Sequence, residues 1–224
     1  LKLIQLFDAL DKMNDYDEAL ILKKARSIKK QQLSNIKAHL YKQILSSLRL
    51  IKEEDNIDIR LHEQMDHARI LFNKGLYLQS LKLLEKLKAT ARSYQQLTFL
   101  QQALFFEKKI ETLYITRSMQ DRSDRLTDES EAVDAQLTMV NDLSNLALQL
   151  YSWYIKHGHA RNEKDIKSVN AFFDKHLPAG AGTAKGFYEQ LYLYQAYVWY
   201  AFIRQDFEQY YLYSHKWVNL FADF

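Results

Sequence analysis

The stretch IRLHEQMDHARILFNKGLYLQSLKLLEKLKATARSY, residues 59–94, decides the fold. Before Asn73-Lys74-Gly75, the residues Ile59, His62, Met65, Ala68 and Phe72 recur at helical spacing, with Leu61, Ile70 and Leu71 beside them. After it, Leu76, Ser80, Leu83, Leu84, Leu87 and Ala91 do the same. Apolar residues three and four apart share one face of a helix. A glycine just past such a run is a stop signal, because it enters the left-handed region without a Cβ clash. Two short helices folded back at Gly75 are therefore expected.

Working outward, composition leaves little room for another class. The 224 residues contain one proline and five glycines, too little punctuation for strands and tight hairpins. With no cysteine, disulfides and thiolate metal sites are excluded. The 47% apolar content is ordinary, and no apolar run nears the roughly 18 residues of a membrane span. A net charge of +3 does not imply a partner. No signal peptide is visible. The chain starts at Leu1 rather than Met and ends on the apolar Phe224, so it reads as an excerpt of a longer protein. The cytoplasm is the favoured compartment.

The hairpin resembles a tetratricopeptide repeat (TPR). That family places small residues where the two helices cross, and a glycine and an aromatic at the turn. Ala68 and Leu71 occupy the crossing on the first helix, Gly75 and Tyr77 the turn, and Ser80, Leu84 and Leu87 the second helix. Gln64 stands where a Trp is common, and no proline closes the unit near Gln95. Asn14, Tyr16 and Ala19 echo Gly75, Tyr77 and Ser80 more weakly.

Taken in order, Leu3, Ile4, Phe7 and Leu10 make a first helical stripe, and Asp15 or Asp17 can cap the next helix. From Tyr16 to Ile51 there is no Gly or Pro. A single long helix is the preferred reading, with a break near residues 30–34 as the alternative. Glu53-Glu54-Asp55-Asn56 is a connection. Beyond the organising hairpin, a helix is expected from Ser93 to about Ile115. A polar, solvated one follows over Arg117–Asp134, with a kink or loop near Thr127, and then an apolar one over Leu137–His157. His157-Gly158-His159 turns the chain into a return helix over Glu163–His176. Pro178–Gly186 is a loop, and Phe187–Arg204 with Phe207–Phe221 form the final pair. Half of the 30 aromatics lie in the last 38 residues, more apolar surface than a terminal repeat should expose.

Motifs for chemistry are weak. Gly180-x-Gly182-x-x-x-Gly186 opens a helix, but a dinucleotide loop needs a strand before it, and none is expected. His62-Glu63 with His67 is one residue too long for a zinc-protease pair, since five residues rotate the second His about 140° around the helix. His157, His159 and His176 read as solvated turn residues. No Ser, His and Asp stand in a nucleophile context. No cofactor or metal is expected, and an enzyme is disfavoured. Nine Lys and Arg without an acid between Leu20 and Lys52, densest at Lys23, Lys24, Arg26, Lys29 and Lys30, suit a solvated face better than nucleic acid.

The resulting expectation is an all-α, right-handed α-solenoid of about five antiparallel helical hairpins, one TPR-like domain over residues 1–224. The resemblance implies a protein- or peptide-binding scaffold using the concave groove of the first helices. It points to Met65, Asp66, Arg69, Phe72 and Asn73, and by the same offset to Gln195, Trp199 and Phe202. Asn73 and Arg69 would hold a peptide backbone. A homodimer contact or a flanking domain is expected at the aromatic C-terminal hairpin. The rival reading is a sensory or regulatory module of a larger transcription or signalling protein.

Overall fold

A computed structural model describes residues 2–51, 56–114 and 120–223. Among these residues the chain forms ten α-helices and no strand. It divides into two compact units, Leu1–Glu63 and Gln64–Phe224. The expected connection at Glu53-Glu54-Asp55 and the start of the polar segment at Arg117 lie outside the described residues.

The first unit holds α1 (Lys2–Asp11), α2 (Glu18–Lys24) and α3 (Lys30–Ile51). Its core gathers Leu6, Ile21, Ala25, Ile28, Leu33 and Leu40, with Leu3, Leu10 and Ile44 packed around them. Asp17 caps α2, its side chain accepting from the Leu20 N–H. Residues 16–51 are therefore not one long helix. The chain breaks at Ala25–Lys29, ahead of the alternative position near residues 30–34. The break needs no Gly or Pro because it is driven by burial: Ala25 and Ile28, both on the connection, enter the core. The α1 stripe is rotated only in part from expectation: Leu3 and Leu10 pack on the core as expected. Leu6 and Ala9 are buried, whereas Ile4 and Phe7 are exposed.

The second unit takes in most of α4 (Ile57–Asn73), then α5 (Tyr77–Ser93), α6 (Leu97–Tyr114) and α7 (Gln120–His157). It ends with α8 (Glu163–His176), α9 (Phe187–Arg204) and α10 (Phe207–Asp223). From α5 to α10 consecutive helices pack on one another, and α7 also packs on α9. At the α4–α5 crossing Ala68 and Ser80 are fully buried, and the Ser80 hydroxyl donates to the Ala68 carbonyl at 2.8 Å. The small side chains allow this approach, and the hydroxyl is satisfied by the partner helix.

Three turns share one hydrogen-bond pattern. Leu76 N–H reaches the Leu71 carbonyl, Gln96 the Ala91 carbonyl, and Asp206 the Ala201 carbonyl. In each, the residue before the donor is left-handed: Gly75 (φ 76°), Gln95 (φ 54°) and Gln205 (φ 58°). This is the Schellman helix stop. Only the first uses the glycine that suits it, which is why α6 begins at Leu97 rather than at Ser93.

α7 corrects a second boundary. The polar and apolar segments expected as separate helices form one continuous helix of 38 residues, about 57 Å long at 1.5 Å per residue. No Gly or Pro interrupts it. In its first half Leu126, Ser130 and Val133 are buried, and in its second half Leu143, Leu146, Ala147 and Leu150. The second half runs parallel to α9. Leu143 shares a cluster with Leu193, Tyr151 meets Trp199 and Tyr154 meets Phe202. α8 lies between them in sequence, opened by the Asn162 side chain, which accepts from the Asp165 N–H at 2.9 Å.

Candidate functional site: a charged cleft on α5, α6 and α7

On α5 the buried face reads Leu84, Leu87, Lys88 and Ala91. On α6 it reads Ala103, Leu104, Glu107 and Ile110. One charged residue on each helix thus lies in phase with its apolar core positions. An isolated buried charge is prohibitively costly, so each requires the other. Lys88 Nζ lies 2.6 Å from Glu107 Oε2, with side-chain exposures of 4% and 2%. Glu107 Oε1 also accepts from Arg122 of α7 at 3.0 Å. Arg122 reaches Glu111 at 3.0 Å as well.

The network continues outward. Lys88 Nζ lies 3.2 Å from Glu85 and 3.5 Å from Glu129 of α7. Arg92 pairs with Glu129. On α6, the Gln101 amide donates to Asp134 of α7 at 2.6 Å. Burial works against the Lys88 ammonium, but the hydrogen bond and attraction of Glu107, with Glu129 and Glu85 behind it, hold its pKa above the ordinary lysine value. Lys88 is therefore a fixed cation at neutral pH.

This network floors a cleft of about 640 Å³. Its lining carries five cations, Lys82, Lys88, Arg92, Arg122 and Arg125, against three carboxylates, Glu85, Glu107 and Glu129. Leu78, Leu81 and Leu126 supply apolar wall. The volume is in the range of small-ligand and peptide-side-chain sites. Chemically, the cleft offers a cationic majority on a preorganised floor, which suits carboxylates or phosphates.

None of the groove candidates from the sequence lines this cleft. Met65 is buried at 2% exposure and packs inward, so it presents nothing to a ligand. Asp66 and Arg69 are exposed and paired with each other at 3.6 Å. Phe72 is half-buried against Tyr77 and Phe106, with the Lys109 ammonium over its ring. Asn73 is exposed. Gln195 is half-buried. Trp199 and Phe202 contact each other and Tyr154, and Trp199 also meets Tyr151. α4 and α9 thus keep their candidates apart from the charged floor.

The histidines serve separate local roles. The His159 ring bonds to the Phe202 carbonyl at 2.9 Å and the His176 ring to the Phe172 carbonyl at 2.8 Å. His157 sits against Trp153. Among the described residues no three His, Asp or Glu side chains converge as a metal site. The glycine-bearing loop follows α8, not a strand, and Ala181 within it is buried with Leu143 and Leu193. Among the described helices none is long and apolar enough to cross a membrane. Comparison with protein-family models, curated proteins and solved structures returned no match.

Proposed function

We propose that this chain is a protein-binding helical scaffold, and that the cleft on α5, α6 and α7 receives an acidic segment of the partner. The observation that carries the reading is the charge arrangement, five cations over three carboxylates on a floor held by a buried ion pair. A floor ordered before binding spares the complex part of the ordering cost. Rim cations steer and select an oppositely charged partner. The finer reading, a TPR-like solenoid, is supported by the small Ala68–Ser80 crossing, the left-handed Gly75 turn and the packing of consecutive helices from α5 onward, and its right hand is what the resemblance implies.

The test compares an extended Glu-rich peptide with its Lys-for-Glu counterpart by fluorescence anisotropy. The Glu-rich peptide should bind, and added salt should weaken it. Lys82→Glu with Arg125→Glu, both exposed on the rim, should weaken it further while leaving the circular dichroism spectrum unchanged. Equal affinity for the two peptides, or indifference to the rim changes, overturns the reading.

A further inference from the structure

α10 buries one side against α9, where Tyr213 stacks on Tyr197 at 4.1 Å and Leu220 is 2% exposed. Next to that side runs a second stripe, Phe207, Tyr211, Ser214, Val218 and Phe221, spaced four, three, four and three residues apart. Its four large members are 75%, 72%, 71% and 64% exposed, in that order along the chain. No Asp, Glu, Lys or Arg falls on it. A contiguous apolar stripe of this kind marks an interaction surface.

The arrangement around Ser214 says what covers it. Three residues to either side stand Tyr211 and Trp217, and four residues to either side Tyr210 and Val218. Seven residues to either side stand Phe207 and Phe221. Large apolar groups therefore surround one small residue in a pattern that reads nearly the same in both directions. A two-fold contact suits such a pattern, because a large group on one side of the small residue meets the group on the other side in the second copy. A small residue at the crossing lets two backbones approach while the flanking ridges interleave. We propose that α10 pairs with α10 of a second copy of this chain, antiparallel, with the two-fold axis at Ser214. Phe207 of each copy then lies beside Phe221 of the other. Three aromatics and a valine per copy, at these exposures, remove about 1,000 Å² in total from water, the lower bound for a specific interface.

The chain has no cysteine, so single substitutions report the geometry directly. Ser214→Cys places one thiol on the axis and should form an intermolecular disulfide on mild oxidation. Phe207→Cys places two thiols about 21 Å apart along an antiparallel pair and should not. The unmodified protein should show the dimer mass by light scattering at high concentration, and Val218→Asp, at an exposed position, should return it to monomer with its helical content intact. A monomer at every concentration overturns the proposal, as does disulfide formation by Phe207→Cys as readily as by Ser214→Cys, which would indicate parallel pairing. Light scattering that stays dimeric in Val218→Asp also overturns it, placing the contact elsewhere.

Discussion

Replacing Lys88 with Met tests whether the charged floor is one coupled unit. Removing one member of a buried pair costs about 3–5 kcal/mol, because the remaining charge loses its compensation. Here Glu107 keeps Arg122 at 3.0 Å, so the lower end, about 3 kcal/mol, is expected for Lys88→Met. Glu107→Gln should cost less, about 2 kcal/mol, since Lys88 retains Glu85 and Glu129 as partly solvated neighbours. If the pair acts as a unit, the double variant should cost only about 3 kcal/mol, leaving a coupling of about 2 kcal/mol. Urea denaturation of the four proteins at equal m-value measures each figure. Additive single effects would refute the reasoning, as would a Lys88→Met cost under about 0.5 kcal/mol, the ordinary range of surface changes.

The same residue gives a pH test. The folded state raises the Lys88 pKa above its ordinary 10.5, so it favours the protonated form more than the unfolded chain does. The linked stability is fully present below lysine's unfolded value and is lost as pH rises through the raised folded one. The advantage of the unmodified protein over Lys88→Met should be level from neutral pH to about pH 9 and shrink above about 10.5. An advantage that grows with pH would reverse the assignment.

Three further outcomes are expected. Ala68→Leu overfills the α4–α5 crossing and should lower stability by about 1–3 kcal/mol, read as a lower urea midpoint. Gln205→Gly relieves a left-handed non-glycine residue at the α9 stop and should raise stability by about 0.5–1 kcal/mol, read as a higher melting temperature. The basic stretch around Lys23, Arg26 and Lys30 is interrupted by the buried Ala25 and Ile28. A filter-binding assay should show no nucleic-acid retention at low salt, and retention that falls steeply with salt would restore that reading.

Where local chemistry and packing agree, the elements were legible to the residue. α8 spans the expected Glu163–His176: the turn at Gly158 and the spacing of Val169 and Phe173 mark it in the sequence, and the structure adds the Asn162 cap at its start. α9 begins after Gly186, as expected, and its Glu189 side chain reaches back to the Gly186 N–H at 2.7 Å. Where tertiary packing overrides local preference, the reading slipped. A Gln in the left-handed region ends α5 without announcing itself. Burial of Ala25 and Ile28 breaks a stretch with no helix-breaking residue. Met65 belonged to the inward stripe with Ala68 and could not also face a groove. The charged floor left a usable sign, Lys88 in phase with Leu84, Leu87 and Ala91. Glu107 leaves the same sign on α6, in phase with Ala103, Leu104 and Ile110, but the pairing is not recoverable, because it depends on how α5 meets α6.

The unbroken α7 has a mechanical consequence for the second unit. A stack of hairpins ordinarily turns after every helix, so neighbouring pairs can tilt at the connections. α7 omits one such turn. Its first half closes on α6 in antiparallel fashion, through Arg122 to Glu107 and Asp134 to Gln101. Its second half supplies Leu146, Ala147 and Leu150 to the core that holds Ala196, Tyr200 and Ile203 of α9. One rod thus carries both the Glu129–Arg122 wall of the charged cleft and the support of the aromatic end. Sharp bends in helices arise at Pro, Gly or inserted groups, and the sequence of α7 contains neither Pro nor Gly. A displacement of the α7 wall is therefore not absorbed at a hinge midway. It must either be resisted by the ion pairs at the floor or be carried along the rod to the α9 contact.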